Sequence, residues 1–445
     1  MKSGRGILFF GALGGLLYGF DQGVISGVLL FIQNDIPMSS FMEGVVVSSL
    51  LLGAVFGAAG AGGLADKIGR RKSIAIIAIL FIVGSIGSAY APEVYTLIVA
   101  RVINGLGVGG SMAIVPVYLS ELAPTRMRGT VTALYQLALT SGIVFAYLSN
   151  HLLAPFEAWR EMLLVSALPG VLILIGIFFM PESPRWLLRN EQEIKAREVM
   201  AIFRKPSELE KEIEDIKQIE ATDNETSFTT IKSKWIRPML IIAISVAVFQ
   251  QIVGINAVIY YAPSIFVEAG LENTASTLGT LGIGIMNVLM TIVAILTVDK
   301  LGRRNLLKTG SIAMAVSLLA LSFMLMAFDL SGGLAWVTVI LTAVYVMSFA
   351  FSWGAVTWVI IPELLPLKAR GAGTGIAIMA MSAANLVVTL IFPVLLDYLG
   401  ITWIFIIFAV FSILSFVFVT LFLPETKERS LEDIEKELRH KAITA

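Results

Sequence analysis

The chain of 445 residues is 57% hydrophobic and only 14% charged, and its mean hydropathy is +0.86. Soluble domains carry about 25% charged residues, so the composition excludes an ordinary soluble protein and predicts an integral membrane protein. The 32 Lys and Arg residues balance 32 Asp and Glu residues, which gives no support to a nucleic-acid partner. With no cysteine and two separated histidines, the chain is expected to hold neither disulfides nor a metal, and we expect no cofactor.

Apolar segments long enough to cross a bilayer follow one another along the chain. About 20 mostly apolar residues cross the hydrocarbon core. By this criterion twelve spans are predicted, at 7–32, 44–65, 73–91, 95–119, 129–152, 160–181, 237–262, 275–298, 305–328, 333–361, 371–396 and 400–423. The first is longer than the core of a signal peptide, which has about 7–15 residues. It also contains Asp21, so we interpret it as a spanning helix.

The basic residues predict the orientation of these spans. With the N-terminus inside, all but two of the 32 Lys and Arg residues fall on the inner side, and only Arg101 and Arg160 are left over. Basic residues concentrate in cytoplasmic loops, and moving the topology by one span would destroy the pattern. Both termini are therefore expected to be cytoplasmic.

Three motifs occur twice in the same order, which indicates an internal duplication. The sequence of residues 66–71 recurs at 299–304, that of 121–129 recurs at 363–371, and Pro181-Glu182 recurs at 424–425. Parallel repeats of this kind are one of the architectures of secondary transporters, whose substrate sites lie between the repeats near mid-membrane.

The duplication predicts four regions. These are an N-terminal six-helix bundle at 1–185, a cytoplasmic linker at 186–236, a C-terminal six-helix bundle at 237–424 and a cytoplasmic tail at 425–445. The linker contains the capping box Ser207 to Glu210, followed by apolar residues at helical spacing. The apolar residues are Leu209, Ile213, Ile216 and Ile219. They predict a short amphipathic helix.

The repeated Asp-Lys-x-Gly-Arg-Arg loops resemble the signature of the major facilitator superfamily. The sequences PESPRW at 181–186, PETKER at 424–429, QQ at 250–251, GIN at 254–256 and PEL at 362–364 narrow the resemblance to its sugar porter family. The bacterial proton-coupled glucose (hexose) transporters are the most similar group.

The resemblance implies an all-α membrane protein of twelve transmembrane helices in two six-helix repeats. It implies a multi-pass protein of a bacterial cell membrane, expected to be a monomer in the lipid bilayer. The implied function is import of a monosaccharide, D-glucose first, with a proton as coupling ion, by alternating access; the chain is then no enzyme. Alternatives are an uncoupled facilitator, a symporter for xylose, arabinose or galactose, a sugar sensor, and an exporter of apolar compounds.

Amide side chains within the spans are candidates for binding a sugar, because each offers both donors and an acceptor to hydroxyl groups. The amides are Gln136, Gln250, Gln251, Asn256, Asn287 and Asn385. The resemblance implies that all six contact the sugar, with Trp358 stacking on its ring and Tyr260 and Tyr261 at a gate. The alternative is that the amides only join helices by hydrogen bonds. Gly254 and the Ala262-Pro263 step predict a bend or break in the seventh span.

Asp21 is the carboxylate that lies deep within a span, and Arg101 is a plausible partner. At about 1.5 Å per residue, Asp21 lies roughly 16 Å and Arg101 roughly 10 Å from the outer ends of their helices. The resemblance implies that Asp21 binds the coupling proton and that Arg101 modulates it. A permanent structural ion pair is the alternative. A sodium site is disfavoured, because one carboxylate without clustered oxygen ligands binds the ion poorly.

Charged residues of the repeated motifs form a predicted ring at the inner face. They are Asp66, Arg70, Arg71, Glu121, Arg128, Glu182 and Arg185 in the first half, and Asp299, Arg303, Arg304, Glu363, Arg370 and Glu425 in the second. They are either a solvated surface that fixes topology, in which single ion pairs contribute little, or a cytoplasmic gate between the halves.

Glycines recur every four residues in the first span, at positions 11, 15, 19, 23 and 27. Such a stripe allows close approach of another helix. At 100° per residue, Asp21 lies about 200° from Gly19. The glycines are therefore expected to pack against one neighbour while Asp21 points to another.

Overall fold

A computed structural model describes residues 4–124, 128–204, 209–210, 213–214, 236–328, 332–366 and 369–425, without the side chains of 4–12, 128–132, 299 and 332–333. The long helices of the first half are α1 (Gly4–Val28), α2 (Ser40–Ile68), α3 (Arg70–Ala89), α4 (Val94–Leu122), α5 (Arg128–Leu153) and α6 (Trp159–Ile177). Those of the second half are α7 (Arg237–Glu268), α8 (Asn273–Leu301), α9 (Arg303–Ala327), α10 (Trp336–Glu363), α11 (Arg370–Leu399) and α12 (Ile401–Leu421).

Each of the twelve predicted spans coincides with one of these helices. Within the described part of the chain, eleven are long and apolar enough to cross a membrane. The other, α1, has 25 residues. The all-α membrane fold is thereby confirmed.

Three of the twelve helices are interrupted. As predicted, α7 breaks at Val253-Gly254, between the segments Arg237–Ile252 and Ile255–Glu268, whereas it continues through Pro263. Helix α6 is divided at Ser166, and α10 contains a π-helical turn at Ala350–Gly354. Neither of these two interruptions was predicted.

The chain forms two compact units of helices. One comprises residues 1–38 and 45–225, and the other comprises residues 39–44 and 226–445. In the first unit α1 packs along α5 and α3 packs along α4. In the second, α9 packs against α12 and α10, and α7 packs against α11. The apolar cores of both units thus arise from helix-on-helix packing.

Two short helices, Pro184–Arg189 and Glu193–Met200, follow α6. Leu209 and Ile213 are helical and buried in a cluster with Met200, as the amphipathic pattern predicts. The predicted residues Ser207, Ile216 and Ile219 lie outside the described residues. The side chain of Arg197 donates hydrogen bonds to Glu210 and to Glu193, and these bonds raise the pKa of the Arg197 guanidinium.

Candidate functional site

The glycine face of α1 lies against α5. A Cβ atom added to Gly19 would fall on the carbonyl oxygen of Leu139, and one at Gly15 would meet the carbonyl oxygen of Tyr135. Gly23 and Gly27 meet α5 in the same way, at Ala146 and Asn150, respectively. The predicted role of the stripe is confirmed at these four positions, while the surroundings of Gly11 lie outside the description.

This packing directs Asp21 towards α4. The side chains of Asp21 and Arg101 are 0% and 1% exposed, and Arg101 Nη1 lies 3.5 Å from Asp21 Oδ1. The two residues predicted to face each other therefore do so. An ion pair buried this completely is stable only while both partners stay together, because a lone charge would be left in a medium of low polarity.

Asn104 is a polar neighbour of Asp21 that the sequence interpretation missed. Its side chain is 1% exposed, and Nδ2 donates to Asp21 Oδ1 over 2.7 Å. The sequence contained a signal, because Asn104 follows Arg101 by three residues and must share its face of α4. The candidate proton site is thus a cluster of three side chains.

Several polar atoms of this cluster are buried without a hydrogen-bond partner in the described part of the chain. They are Asp21 Oδ2, Asn104 Oδ1, and Nε and Nη1 of Arg101. Buried polar atoms are usually paired, and each exception calls for an explanation such as a catalytic role. Two acceptors and two donors are therefore available here for a different arrangement.

In the second unit, the break of α7 forms a local site of its own. Gly254 has φ +94°, a conformation that favours glycine, and an added Cβ would enter the ring of Phe408. The preceding carbonyl, that of Val253, accepts a 2.9 Å hydrogen bond from the hydroxyl of Tyr345. Tyr345 is fully buried on α10, so the break is held by α10 and α12 together.

Three predicted amides line this break as a hydrogen-bonded chain. Asn256 Nδ2 donates to Gln251 Oε1 over 2.7 Å, and Gln251 Nε2 donates to Gln250 Oε1 over 3.0 Å. Gln250 Nε2 then donates to the carbonyl of Trp353 in the π-helical turn of α10, over 3.4 Å. These hydrogen bonds orient the three amides. Each amide still has unused donor or acceptor capacity, so the chain can bind further partners.

The other predicted sugar residues of the second unit lie on α7, α8, α10 and α11. Asn287 and Asn385 are buried, and Asn385 Oδ1 accepts a hydrogen bond from Thr389. Tyr260 is buried on α7, and Trp358 is half-buried just after the π-helical turn.

In the first unit, the predicted sugar residue Gln136 is half-buried on α5. It lies next to Tyr135, whose carbonyl oxygen faces Gly15 of α1. The close packing of α1 on α5 therefore places Gln136 beside the helix that carries Asp21.

The charged motif of the first unit forms a connected network. Arg70 makes two hydrogen bonds of 3.2 Å to the carboxylate of Glu121 and one of 3.0 Å to Asp66. Glu182 accepts hydrogen bonds from the backbone nitrogens of Arg70 and Arg71. It therefore caps the N-terminus of α3, where a negative charge is favoured. Arg185 is half-buried nearby in chain order, in the helix Pro184–Arg189.

The second unit repeats this arrangement with its own residues. Arg303 lies 3.3 Å from Glu363, and Glu425 accepts from the backbone nitrogens of Arg303 and Arg304 at 3.1 Å each. Gly69 and Gly302 precede the capped helices with φ +94° and +85°. The duplication inferred from sequence therefore extends to individual contacts. Each of these contacts lies within one unit.

Three predicted gate residues remain. Arg370 is half-buried at the first residue of α11. The side chains of Arg128 and Asp299 lie outside the described residues.

Comparison with known proteins decides the family. The model of the family described as "Sugar (and other) transporter" matches residues 7–438. The protein belongs to this family of sugar transporters. It is a transporter with the major facilitator fold and not an enzyme, as the resemblance implied.

Curated relatives cover nearly the whole chain. A glucose transporter of Staphylococcus epidermidis is 50% identical over 442 residues, which are 99% of each chain. A D-xylose transporter of Levilactobacillus brevis is 43% identical and covers 98% of this chain and 96% of its own. The galactose-proton symporter of Escherichia coli is 39% identical over 97% of this chain and 94% of its own.

Solved structures confirm the fold. The inward-open xylose transporter of Escherichia coli matches with a TM-score of 0.85 and 30% identity, over 98% of this chain and 99% of the other. The same proton:xylose symporter bound to 6-bromo-6-deoxy-D-glucose matches with a TM-score of 0.79 and 29% identity, again over 98% and 99%.

Proposed function

We propose that this transporter imports a monosaccharide together with a proton, with D-glucose as the first candidate substrate. The observation that carries the proposal is the buried carboxylate of Asp21 in contact with Arg101 and Asn104 on a neighbouring helix. Ionisable groups inside a membrane are costly and by default functional. The glucose transporter that is 50% identical over the full length supports the choice of sugar.

The proton cycle follows from the instability of a separated buried ion pair. Deprotonated Asp21 holds Arg101, and a proton that reaches the carboxylate neutralises it and frees the guanidinium. Loss of the proton restores the pair. A change in the Asp21–Arg101 distance during transport would therefore change the stability of the bound proton.

The amides support the proposal that the substrate is an uncharged polyhydroxyl compound. Gln250, Gln251 and Asn256 form an oriented chain, which offers donors and acceptors without a charge. We propose that these residues, with Gln136, Asn287 and Asn385, bind sugar hydroxyls. Trp358 is proposed to pack against the ring, and Tyr260 to close over it.

The charged networks are proposed to form the cytoplasmic gate of an alternating-access cycle. We further propose that both termini are cytoplasmic. The protein is proposed to be a monomer in the bacterial cytoplasmic membrane. The proposal retains the division into bundles at 1–185 and 237–424, with a linker at 186–236 and a tail at 425–445.

D-xylose is the second candidate substrate. Met381-Ser382 on α11 departs from a pattern in some sugar porters, in which a polar residue followed by tryptophan precedes the α11 asparagine. This departure argues against assuming the specificity of the xylose porters. D-xylose remains the second candidate because the transporter that is 43% identical is named for it.

Uptake into proteoliposomes tests the function. Labelled D-glucose, D-xylose, L-arabinose and D-galactose are offered with and without an inward proton gradient. The proposal expects D-glucose to accumulate above its external concentration only with the gradient. Equilibration without accumulation in both conditions would instead show an uncoupled facilitator, and accumulation of D-xylose alone would replace the proposed sugar.

A further inference from the structure

Both described contacts of the Asp21 carboxylate fall on the same oxygen. Asn104 Nδ2 donates to Oδ1 over 2.7 Å, and Arg101 Nη1 lies 3.5 Å from that Oδ1. The other oxygen, Oδ2, is buried and accepts no hydrogen bond from any described residue. Oδ2 is therefore the oxygen available to a proton.

The amide of Asn104 is half used in the same way. Its Nδ2 is engaged, while its Oδ1 is buried and receives no hydrogen bond within the described part of the chain. A carboxylic acid and a primary amide can form two hydrogen bonds to each other. In one, the amide N–H donates to the carbonyl oxygen of the acid; in the other, the acid O–H donates to the amide oxygen. The first of these hydrogen bonds, from Asn104 Nδ2 to Asp21 Oδ1, is already present. A proton on Asp21 Oδ2 would supply the donor that the second bond, to Asn104 Oδ1, lacks.

We propose that Asn104 is a positioning residue for the coupling proton and closes a two-point carboxyl–amide pair with protonated Asp21. This rests on the proposed symport function. A proton from the aqueous phase adds to Oδ2, and the new O–H donates to Asn104 Oδ1. The ion pair with Arg101 is thereby dissolved. When the proton returns to water, the second hydrogen bond is lost and Arg101 again faces a carboxylate.

Arg101 and Asn104 differ in the hydrogen bonds that they can form with Asp21. The guanidinium of Arg101 only donates, and its Nε and Nη1 have no described hydrogen-bond partner, so it can serve the carboxylate if the amide is removed. Of the two side chains that contact Asp21, only Asn104 can accept a hydrogen bond from the protonated acid. Removal of the amide therefore weakens proton binding selectively.

The surroundings of Asp21 contain few other ionisable groups. Helix α3 carries none between Lys72 and Tyr90, and α4 carries only Tyr95 and Arg101 before Tyr118. Besides Asp21, the ionisable side chains that the structure describes on α1, α5 and α6 are Tyr18, Tyr135, Tyr147, His151, Arg160 and Glu161. Arg160 is engaged by Asp35 and by the carbonyls of Ala89 and Ala91 instead.

Helix α3 fixes the position of Asn104. A Cβ atom added to Gly84 would lie 2.5 Å from the backbone nitrogen and 2.7 Å from the Cβ of Asn104. Such distances are far below normal van der Waals contact, so α3 and α4 approach closely at this residue. The amide is thereby held against Asp21 by packing as well as by its hydrogen bond.

Infrared difference spectroscopy of the full-length protein tests the pair without any sugar. The carboxylic C=O band of Asp21 is identified by its absence in Asp21→Asn and is titrated with pH. In Asn104→Leu the proposal expects the midpoint to move by about one pH unit towards acid, which is about tenfold weaker proton binding. It also expects the band to move to higher frequency, because the O–H loses its acceptor. An unchanged midpoint and frequency would overturn the proposal.

Two further variants separate this role from general damage. Asn104→Ser fits the space but cannot form both hydrogen bonds, and it is expected to shift the midpoint in the same direction by less; it carries the test if Asn104→Leu does not fold. Asn150→Leu removes another buried amide, which donates to the backbone oxygens of Gly23 and Val24 and to the hydroxyl of Ser26. It should leave the midpoint unchanged, and an equal shift there would contradict a specific role for Asn104.

The same variants distinguish this proposal from the proposed function. If the Asp21 band shifts as expected but D-glucose uptake ignores the proton gradient, the carboxyl–amide pair stands and symport fails. If uptake is gradient-driven in the wild type and Asn104→Leu keeps its pH midpoint, symport stands and the role of Asn104 fails. At a pH well below both midpoints, D-glucose exchange by Asn104→Leu should approach the wild-type rate, whereas a folding defect would lower exchange at every pH.

Discussion

The two units share their charged motifs but differ in the polar groups that lie inside their helices. Glu182 and Glu425 cap α3 and α9 by the same backbone contacts, as expected of a duplicated chain. In contrast, the first unit buries an ion pair, whereas the second carries a chain of neutral amides at a helix break. The scaffold is duplicated, whereas the buried polar groups differ between the two copies.

The Asp21 cluster and the amides at the α7 break differ in whether their polar atoms are already hydrogen-bonded. At the Asp21 cluster, two buried donors and two buried acceptors lack described hydrogen-bond partners, so a change of protonation can rearrange the cluster. The amides at the α7 break are joined to each other and to the carbonyl of Trp353, so they are oriented before a ligand arrives. A group that changes charge suits a proton, and a fixed neutral array suits hydroxyl groups.

The largest effect is expected from Asp21→Asn. An amide cannot take up and release a proton, so accumulation of D-glucose against its gradient should be abolished, while exchange of labelled for unlabelled sugar continues. Proteoliposome accumulation and counterflow measure the two. Asp35→Asn is the matched control, because Asp35 pairs with Arg160 at an exposed site. Accumulation that persists in Asp21→Asn would remove the proton role from the first unit.

Gly19→Ala should destabilise the first unit strongly. Its Cβ would collide with the backbone carbonyl of Leu139, which cannot move aside as a side chain can. Overpacking of this kind costs about 1–3 kcal/mol or more. The measurement is thermal unfolding of the detergent-solubilised protein, with Gly60→Ala as the control, since nothing lies within 4 Å of a Cβ there. Equal midpoints for the two variants would refute the tight packing of α1 on α5.

Tyr345→Phe tests the break of α7 in the second unit. It removes the hydroxyl that donates to the carbonyl of Val253 at the break. Leaving such a buried acceptor unpaired costs about 1–3 kcal/mol. Because the amides are adjacent, the apparent affinity for sugar should fall several-fold while the pH midpoint of uptake stays in place. A shifted midpoint with unchanged affinity would mean that the two chemistries are not divided in this way.

The smallest effect is expected from the duplicated caps. Glu182→Gln and Glu425→Gln each weaken the charge at a helix N-terminus but keep hydrogen-bonding oxygen. A loss of about 0.3–1 kcal/mol is typical. Thermal unfolding should show similar losses for both variants, because the contacts are equivalent. A large loss for only one would show that the duplicated motifs have diverged in structural role.

Much of this organisation could be predicted from the sequence because it depends on local pattern. Hydropathy located the spans, and the glycine period placed Asp21 opposite the α5 contact. Gly254 marked the break of α7, since few other residues adopt its backbone conformation.

Other features depend on contacts that no local pattern contains. The π-helical turn of α10 is accompanied by a hydrogen bond from Gln250 to Trp353, 103 residues apart. The cap of α3 by Glu182 joins residues that are 112 positions apart. Asn104 could have been found from its spacing to Arg101, but its contact with Asp21 requires the packing of α1 on α4.

Sugar-driven proton movement tests the division of chemistry most directly. Proteoliposomes that contain a pH-sensitive dye are given D-glucose without any imposed gradient. The lumen should acidify with the wild-type protein and with Tyr345→Phe at saturating sugar, and it should not acidify with Asp21→Asn. Acidification that persists in Asp21→Asn, or D-glucose uptake by the wild type without acidification, would contradict the account.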